Sequence, residues 1–146
     1  HLAKIERLPL KEFWQQPTDI LIPVALENAI DGEIAETIQA KLVVEGANGP
    51  LTSEGDEVLQ CRNLTVVPDI LANAGGVIVS YFEWVQNQQG YYWDKELIRH
   101  RQEALMRNAF HALWALKEEE KVSFREAAYL YSLTRLADAM KLRGWY

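Results

Sequence analysis

Apolar and polar positions follow two rhythms along this chain, and the switch between them divides it. In the first half, short continuous apolar runs are separated by amphipathic stretches. Ile20-Leu21-Ile22-Pro23-Val24-Ala25 is unbroken, as suits a parallel strand covered on both faces, and Pro23, which has no N–H to give, suits its carboxyl end. Ile34, Ala35 and Ile38 then recur at helical spacing behind Asp31, a residue able to cap a helix N-terminus. Lys41-Leu42-Val43-Val44-Glu45 reads as a second strand, ended by Gly46-Ala47-Asn48-Gly49-Pro50. Ser53 to Asp56 carries an acidic capping signature ahead of a helix through Val58 and Leu59, Asn63 closes it in a left-handed conformation, and Leu64-Thr65-Val66-Val67-Pro68 is the third strand. The order β-α-β-α-β, with right-handed crossovers, predicts three parallel strands.

From there the period becomes helical. Asn73 to about Gln88 carries Val77, Tyr81, Trp84 and Val85 at helical spacing, with Gly90 as terminator. Asp94 caps a long helix in which Leu97, Leu105, Leu113 and Leu116 mark the buried side, ending near Glu120. Ser123-Phe124-Arg125-Glu126 is a capping box, with Val122 and Ala127 placed for a hydrophobic staple; the last helix runs to about Leu142 and Gly144 stops it. A mainly strand-and-helix part over about 19–90 and a helical part over about 91–146 follow from this pattern.

Composition narrows the classes. With 146 residues, 49% hydrophobic and 25% charged, the chain has the proportions of a globular domain. No apolar run approaches the roughly 20 residues that span a bilayer, and the first ten residues lack a signal peptide's apolar centre, so the expectation is a cytoplasmic protein without a membrane partner. The net charge of −6, without a basic stripe, argues against nucleic acid. Cys61 is the single cysteine; it has no intrachain disulfide partner and no metal-spaced neighbour, and reads as a small core or interface residue. His1, His100 and His111 are scattered, and no metal site is expected. The aromatics of Tyr81-Phe82-Glu83-Trp84 and Tyr91-Tyr92-Trp93 suit core or inter-helix packing better than an external interface.

Candidate chemistry lies at the strand tips, because ligands of parallel sheets bind beyond the carboxyl ends of the strands. Val24-Ala25, Gly46-Ala47-Asn48-Gly49 and Asp69 to Gly76 follow the three strands. Small residues there would let a flat ring or a sugar approach the backbone, and Asn48 and Asn73 each both donate and accept; the same residues are also common in plain turns. Asn73, Val77, Ser80 and Trp84 fall on one helix face, and the Gly75-Gly76 pair leaves amides uncovered near a helix start. Ser80 could line a pocket or bond back to a helix carbonyl. There is no G-x-G-x-x-G turn, nucleophile elbow or phosphate-binding lysine loop.

Pro23-Val24-Ala25-Leu26-Glu27-Asn28, Val44-Glu45-Gly46-Ala47-Asn48-Gly49-Pro50, Val67-Pro68-Asp69-Ile70 and Asn73 through Trp84 resemble the glutamate dehydrogenases of the glutamate/leucine/phenylalanine/valine dehydrogenase family, over about Asp19 to Tyr146. The resemblance implies an oxidoreductase whose nicotinamide-binding domain is Rossmann-like. This chain would be the second half of that domain, three parallel strands with flanking helices, followed by C-terminal helices. It implies that Ala25, Asn48 and Asn73 meet the cofactor, NAD or NADP, and that Val77 and Ser80 form a wall of the substrate pocket, the Ser80 hydroxyl aimed at the side-chain carboxylate of L-glutamate. Ala29 departs from the pattern, since relatives often carry a cofactor-contacting glutamine there.

By the same resemblance, the catalytic lysine and aspartate and the glycine-rich turn belong to preceding sequence. No catalytic residue is therefore assigned here, and the isolated chain is expected not to catalyse the reversible conversion of L-glutamate to 2-oxoglutarate and ammonia. A homo-oligomer is expected, and the free edge of the first strand is expected to be paired with another copy or covered by the tail. The alternatives are a fragment of a leucine- or phenylalanine-type dehydrogenase and a noncatalytic interaction module derived from one.

Overall fold

The computed structural model describes residues 7–145, so His1 and Tyr146 lie outside the described residues. Two compact units meet between Val66 and Val67. The first unit contains α1 (Leu10–Trp14), β1 (Ile20–Leu21), α2 (Gly32–Thr37), β2 (Leu42–Val44) and α3 (Ser53–Cys61), and β3 (Thr65–Val67) runs to its end. The strands are parallel and ordered β1-β2-β3, with Ile20 opposite Leu42 and Leu21 opposite Val43. Strand β1 pairs over two residues rather than six. Past Leu21 the backbone leaves the ladder, and the Pro23 carbonyl instead accepts from two consecutive amides beyond β2, Gly46 N at 3.0 Å and Ala47 N at 2.9 Å.

The sheet and its helices enclose one apolar core. Ile30, Ala35, Ile38, Val43 and Leu59 are fully buried, with Trp14, Leu21, Val58 and Val66 packed against them; each large side chain contributes about 1.5–3 kcal/mol on burial. Helix α2 is secured at both ends. Asp31 Oδ1 accepts from Ile34 N at 2.9 Å, and the Arg62 guanidinium donates to the carbonyls of Ala35 and Ile38, acceptors that the helix itself leaves without partners. Asn63 takes the expected positive φ of 56°. The cap of α3 is Thr52, whose Oγ1 accepts from Gly55 N at 3.1 Å, one residue before the sequence signature. Thr52 keeps extended backbone angles (φ −72°, ψ 164°) whereas Ser53 is already helical.

The second unit is α4 (Asp69–Ala72), α5 (Ala74–Gln89), α6 (Lys95–Glu120) and α7 (Phe124–Leu142). Its caps are those the sequence predicts: Gly90 at φ 64° after α5, Asp94 accepting from Leu97 N at 2.8 Å before α6, and the Ser123/Glu126 box before α7. The Glu126 carboxylate accepts from Ser123 N at 2.8 Å. That bond and the one with the Ser123 side chain hold its pKa below the ordinary 4.5. The core is a small cluster of Leu71, Leu113, Phe124 and Ala128, with Val67, Ala109 and Tyr131 against it. Buried Gln86 donates to the Phe82 carbonyl and accepts from Trp93 N, fastening the α5–α6 turn.

Several expectations are corrected by burial. Cys61 is exposed and not a core residue, because it sits on the outer side of α3 while Leu59 turns inward. Tyr81 and Trp84 stack on each other at 5.9 Å but are 59% and 58% exposed, and Tyr91 and Tyr92 are exposed too; of the aromatic runs only Phe82 and Trp93 pack inward. Leu105 is half exposed, whereas Leu113 is buried as predicted. Strand β1 lies at a sheet edge with Ile20 and Ile22 more than half exposed. Among the described residues, no helix is long and apolar enough to cross a membrane.

Candidate functional site

In the first unit the tips of β1 and β2 form a cradle. It is a shallow, open depression of about 390 Å³ lined by residues 24–27 and 46–48, so the structure brings Ala25 and Asn48 to one place. The two hydrogen bonds onto the Pro23 carbonyl tie its walls together. Gly46 makes this approach a close one: a Cβ there would lie 2.7 Å from Val24 Cγ1, and the exposed Val24 side chain would have to shift. A second set of bonds closes the base: Asn28 N to the Gly49 carbonyl at 2.7 Å and Ile30 N to the Pro50 carbonyl at 2.9 Å, with Asn28 and Gly49 both at φ 52°. Its lining mixes small residues, Ala25, Gly46 and Ala47, with the apolar Val24 and Leu26 and the polar Asn48 and Glu27. Such a wall accepts a flat ring edge and offers an amide to a carboxamide or a hydroxyl.

Glu45, which the sequence pattern does not single out, directly precedes Gly46 and is fully buried. A carboxylate at the last position of an apolar strand was the available signal, because burying a charge is costly unless it is partnered.

In the second unit the remaining candidates cluster at the start of α5. Asn73 closes α4 and precedes α5 with φ −101° and ψ 3°, in the sparsely populated bridge region. Its N–H donates to the Asp69 carbonyl at 3.1 Å. One helical turn on, Val77 is 68% exposed, and Ser80, Tyr81 and Trp84 are exposed beside it. A valine, a hydroxyl and two aromatics left open on one face, while Phe82 and Gln86 on the other are buried, is the arrangement of a contact surface. Asp69 Oδ1 accepts from Ile70 N at 2.8 Å and meets Arg125 Nη1 at 3.4 Å. Ala25 and Asn48 thus belong to one unit, and Asn73, Val77 and Ser80 to the other. His100 and His111 are exposed on α6, and no group of three or more His, Cys, Asp or Glu side chains among the described residues is placed to hold a metal ion.

Comparison with known proteins gives a consistent set of relatives. Residues 1–144 match the family model described as Glutamate/Leucine/Phenylalanine/Valine dehydrogenase. The NAD-specific glutamate dehydrogenase of Clostridioides difficile is 57% identical over 97% of this chain and 34% of its own length. Among solved structures, glutamate dehydrogenase from Peptoniphilus asaccharolyticus superposes with a TM-score of 0.81 at 55% identity, over 86% of this chain and 32% of that one. The hetero-hexameric glutamate dehydrogenase from Thermus thermophilus, in its Leu-bound form, gives 0.90 at 34% identity, over 98% and 34%. The chain therefore spans about a third of the length of the curated relatives it matches.

Proposed function

The chain belongs to the glutamate/leucine/phenylalanine/valine dehydrogenase family, and from that premise we propose that it forms the nicotinamide-side wall of an NAD-dependent L-glutamate dehydrogenase. The reaction is the oxidation of L-glutamate with water to 2-oxoglutarate and ammonium, two electrons and a proton leaving the α-carbon as hydride. NAD is preferred to NADP in this reading because the 57% and 54% identical relatives are NAD-specific glutamate dehydrogenases. When bound, the nicotinamide ring supplies the hydride acceptor; the chain's own residues bind, orient and exclude water.

The observation that carries the reading is the β1–β2 cradle. Ala25, Gly46 and Ala47 leave room for a ring, a position where a Cβ at residue 46 would intrude, and Asn48 offers the donor and acceptor that a carboxamide or ribose needs. Asn73, at the start of α5 in the second unit, is the third cofactor-contacting residue of this reading. On the exposed face that follows, Val77 packs on the substrate's methylenes and the Ser80 hydroxyl donates to its side-chain carboxylate. An apolar substrate would leave that hydroxyl unpaired, which supports glutamate over leucine or phenylalanine.

We place the groups that transfer protons and grip the α-carboxylate in the part of the enzyme outside this chain, as its relatives are about three times longer. The whole enzyme is a homo-oligomer in this reading, with the apolar edge of β1 covered in the assembled protein. The test is NAD reduction by the whole enzyme with glutamate, leucine and phenylalanine, alongside Ser80→Ala. Glutamate should be the preferred substrate, and the variant should lose glutamate kcat/KM by about tenfold or more, one charge-assisted hydrogen bond's worth. Preference for an apolar amino acid, or turnover by the isolated chain, would refute the proposal.

A further inference from the structure

Helix α4 is a single turn of four residues with no side-chain cap at Pro68. A lone turn fixes several dihedral angles for very few hydrogen bonds and does not persist unaided. Its support comes sideways, from α6 through Leu113 and from the first residues of α7. Leu71 is buried against Phe124, Leu113 and Ala128. Asp69, the first residue of the turn, faces the Arg125 guanidinium, and both side chains are 23% exposed, so the pair is only partly screened by water. The backbone of Arg125 is fixed in turn, because it lies inside the capping box that Ser123 and Glu126 close around the start of α7.

The same Asp69 provides the carbonyl that receives the Asn73 N–H. One residue therefore joins the ion pair on one side to the candidate cofactor residue on the other, a single hydrogen bond away.

We infer that Arg125 is a positioning residue for Asn73: through Asp69, and with Phe124 acting through Leu71, it fixes the turn that sets Asn73 at the start of α5. The inference rests on the proposed function for the role of Asn73, but not for the mechanical link. Its consequence is that the N-terminus of α7, remote in sequence from the strand tips, governs hydride-transfer geometry without touching the ligand.

Arg125→Met, Arg125→Lys, Asn73→Ala and the Met/Ala double variant of the whole enzyme provide the test. Arg125→Met should lower kcat for NAD-dependent glutamate oxidation about tenfold, since small misplacements of a binding group cost that much or more, while leaving the KM for glutamate unchanged. Arg125→Lys, which keeps the charge, should recover most of that loss. The double variant should be no worse than Asn73→Ala alone, the non-additivity of groups acting through one another. Losses that multiply, or a fall in melting temperature with kcat intact, would overturn the assignment. If the wild-type enzyme oxidises no amino acid, the functional reading fails separately. Amide hydrogen exchange over residues 74–77 in the whole enzyme then decides the mechanical link: faster exchange in Arg125→Met supports it, and unchanged exchange overturns it.

Discussion

The two units position their candidate residues by opposite means. In the first, the cradle is held by main chain on main chain: the Pro23 carbonyl bridging to Gly46 and Ala47, and Asn28 and Ile30 bonded to Gly49 and Pro50. In the second, Asn73 and the α5 face depend on side chains: Leu71 under Phe124, Asp69 on Arg125, Gln86 on Trp93. The first arrangement fails when an atom is added where backbones touch. The second fails when a side chain is cut away. A strand tip can therefore tolerate much change in side chains, whereas the helical unit is specified by a few anchors.

The largest expected effect lies in the second unit. Phe124→Ala removes a large member of its buried Leu71/Leu113/Ala128 cluster and should lower stability by about 3–5 kcal/mol, read from urea unfolding. A loss under about 1 kcal/mol would erase the contrast, since ordinary surface substitutions stay below that. The reciprocal experiment in the first unit adds a methyl group. At Gly55 a Cβ would sit 2.5 Å from the Ile30 carbonyl oxygen, so Gly55→Ala should cost about 1–3 kcal/mol despite the better helix propensity of alanine. An unchanged or raised midpoint would show that the α3–Ile30 contact is not a tight one.

The α7 cap sharpens the comparison further. Ser123→Ala should cost about 1 kcal/mol near neutral pH. The folded-state pKa of Glu126 is depressed, mainly by the Ser123 backbone hydrogen bond and then by its side chain, so the contribution is present above the ordinary 4.5 and fades as pH falls through the lower folded value. The variant keeps the backbone N–H at 123 and loses only the side-chain part, so the difference in melting temperature should shrink modestly on acidification, and a gap that widens would reverse the assignment. The smallest effect is predicted for Lys41→Ala, whose ion pair with Asp19 is 2.6 Å long but 80% exposed on both sides; about 0–1 kcal/mol should be lost, and less at high salt.

How far the sequence foretold these features depends on how local their causes are. Asp31, Asn63, Gly90, Asp94 and the Ser123 box act within a turn of themselves, and each stands where its residue type predicts. The cradle at the strand tips was legible for the same reason, being a rule about parallel sheets applied to Ala25 and Asn48. Strand β1 stops short because its later residues bond to the β2 loop, a partner no local pattern announces. Helix α4 was missed since four residues give no period, and α1 since Pro9 supplies no side-chain cap. The exposed Tyr81 and Trp84 carried the same apolar spacing that a buried face would have had.

The outward thiol of Cys61 has a practical consequence. It is the only cysteine in the chain and stands at the end of α3, a helix of nine residues about 13 Å long at 1.5 Å per residue, and it is not among the residues that line the cradle. A maleimide dye or nitroxide attached there would report distances from one defined point on the first unit while leaving the cradle chemically untouched.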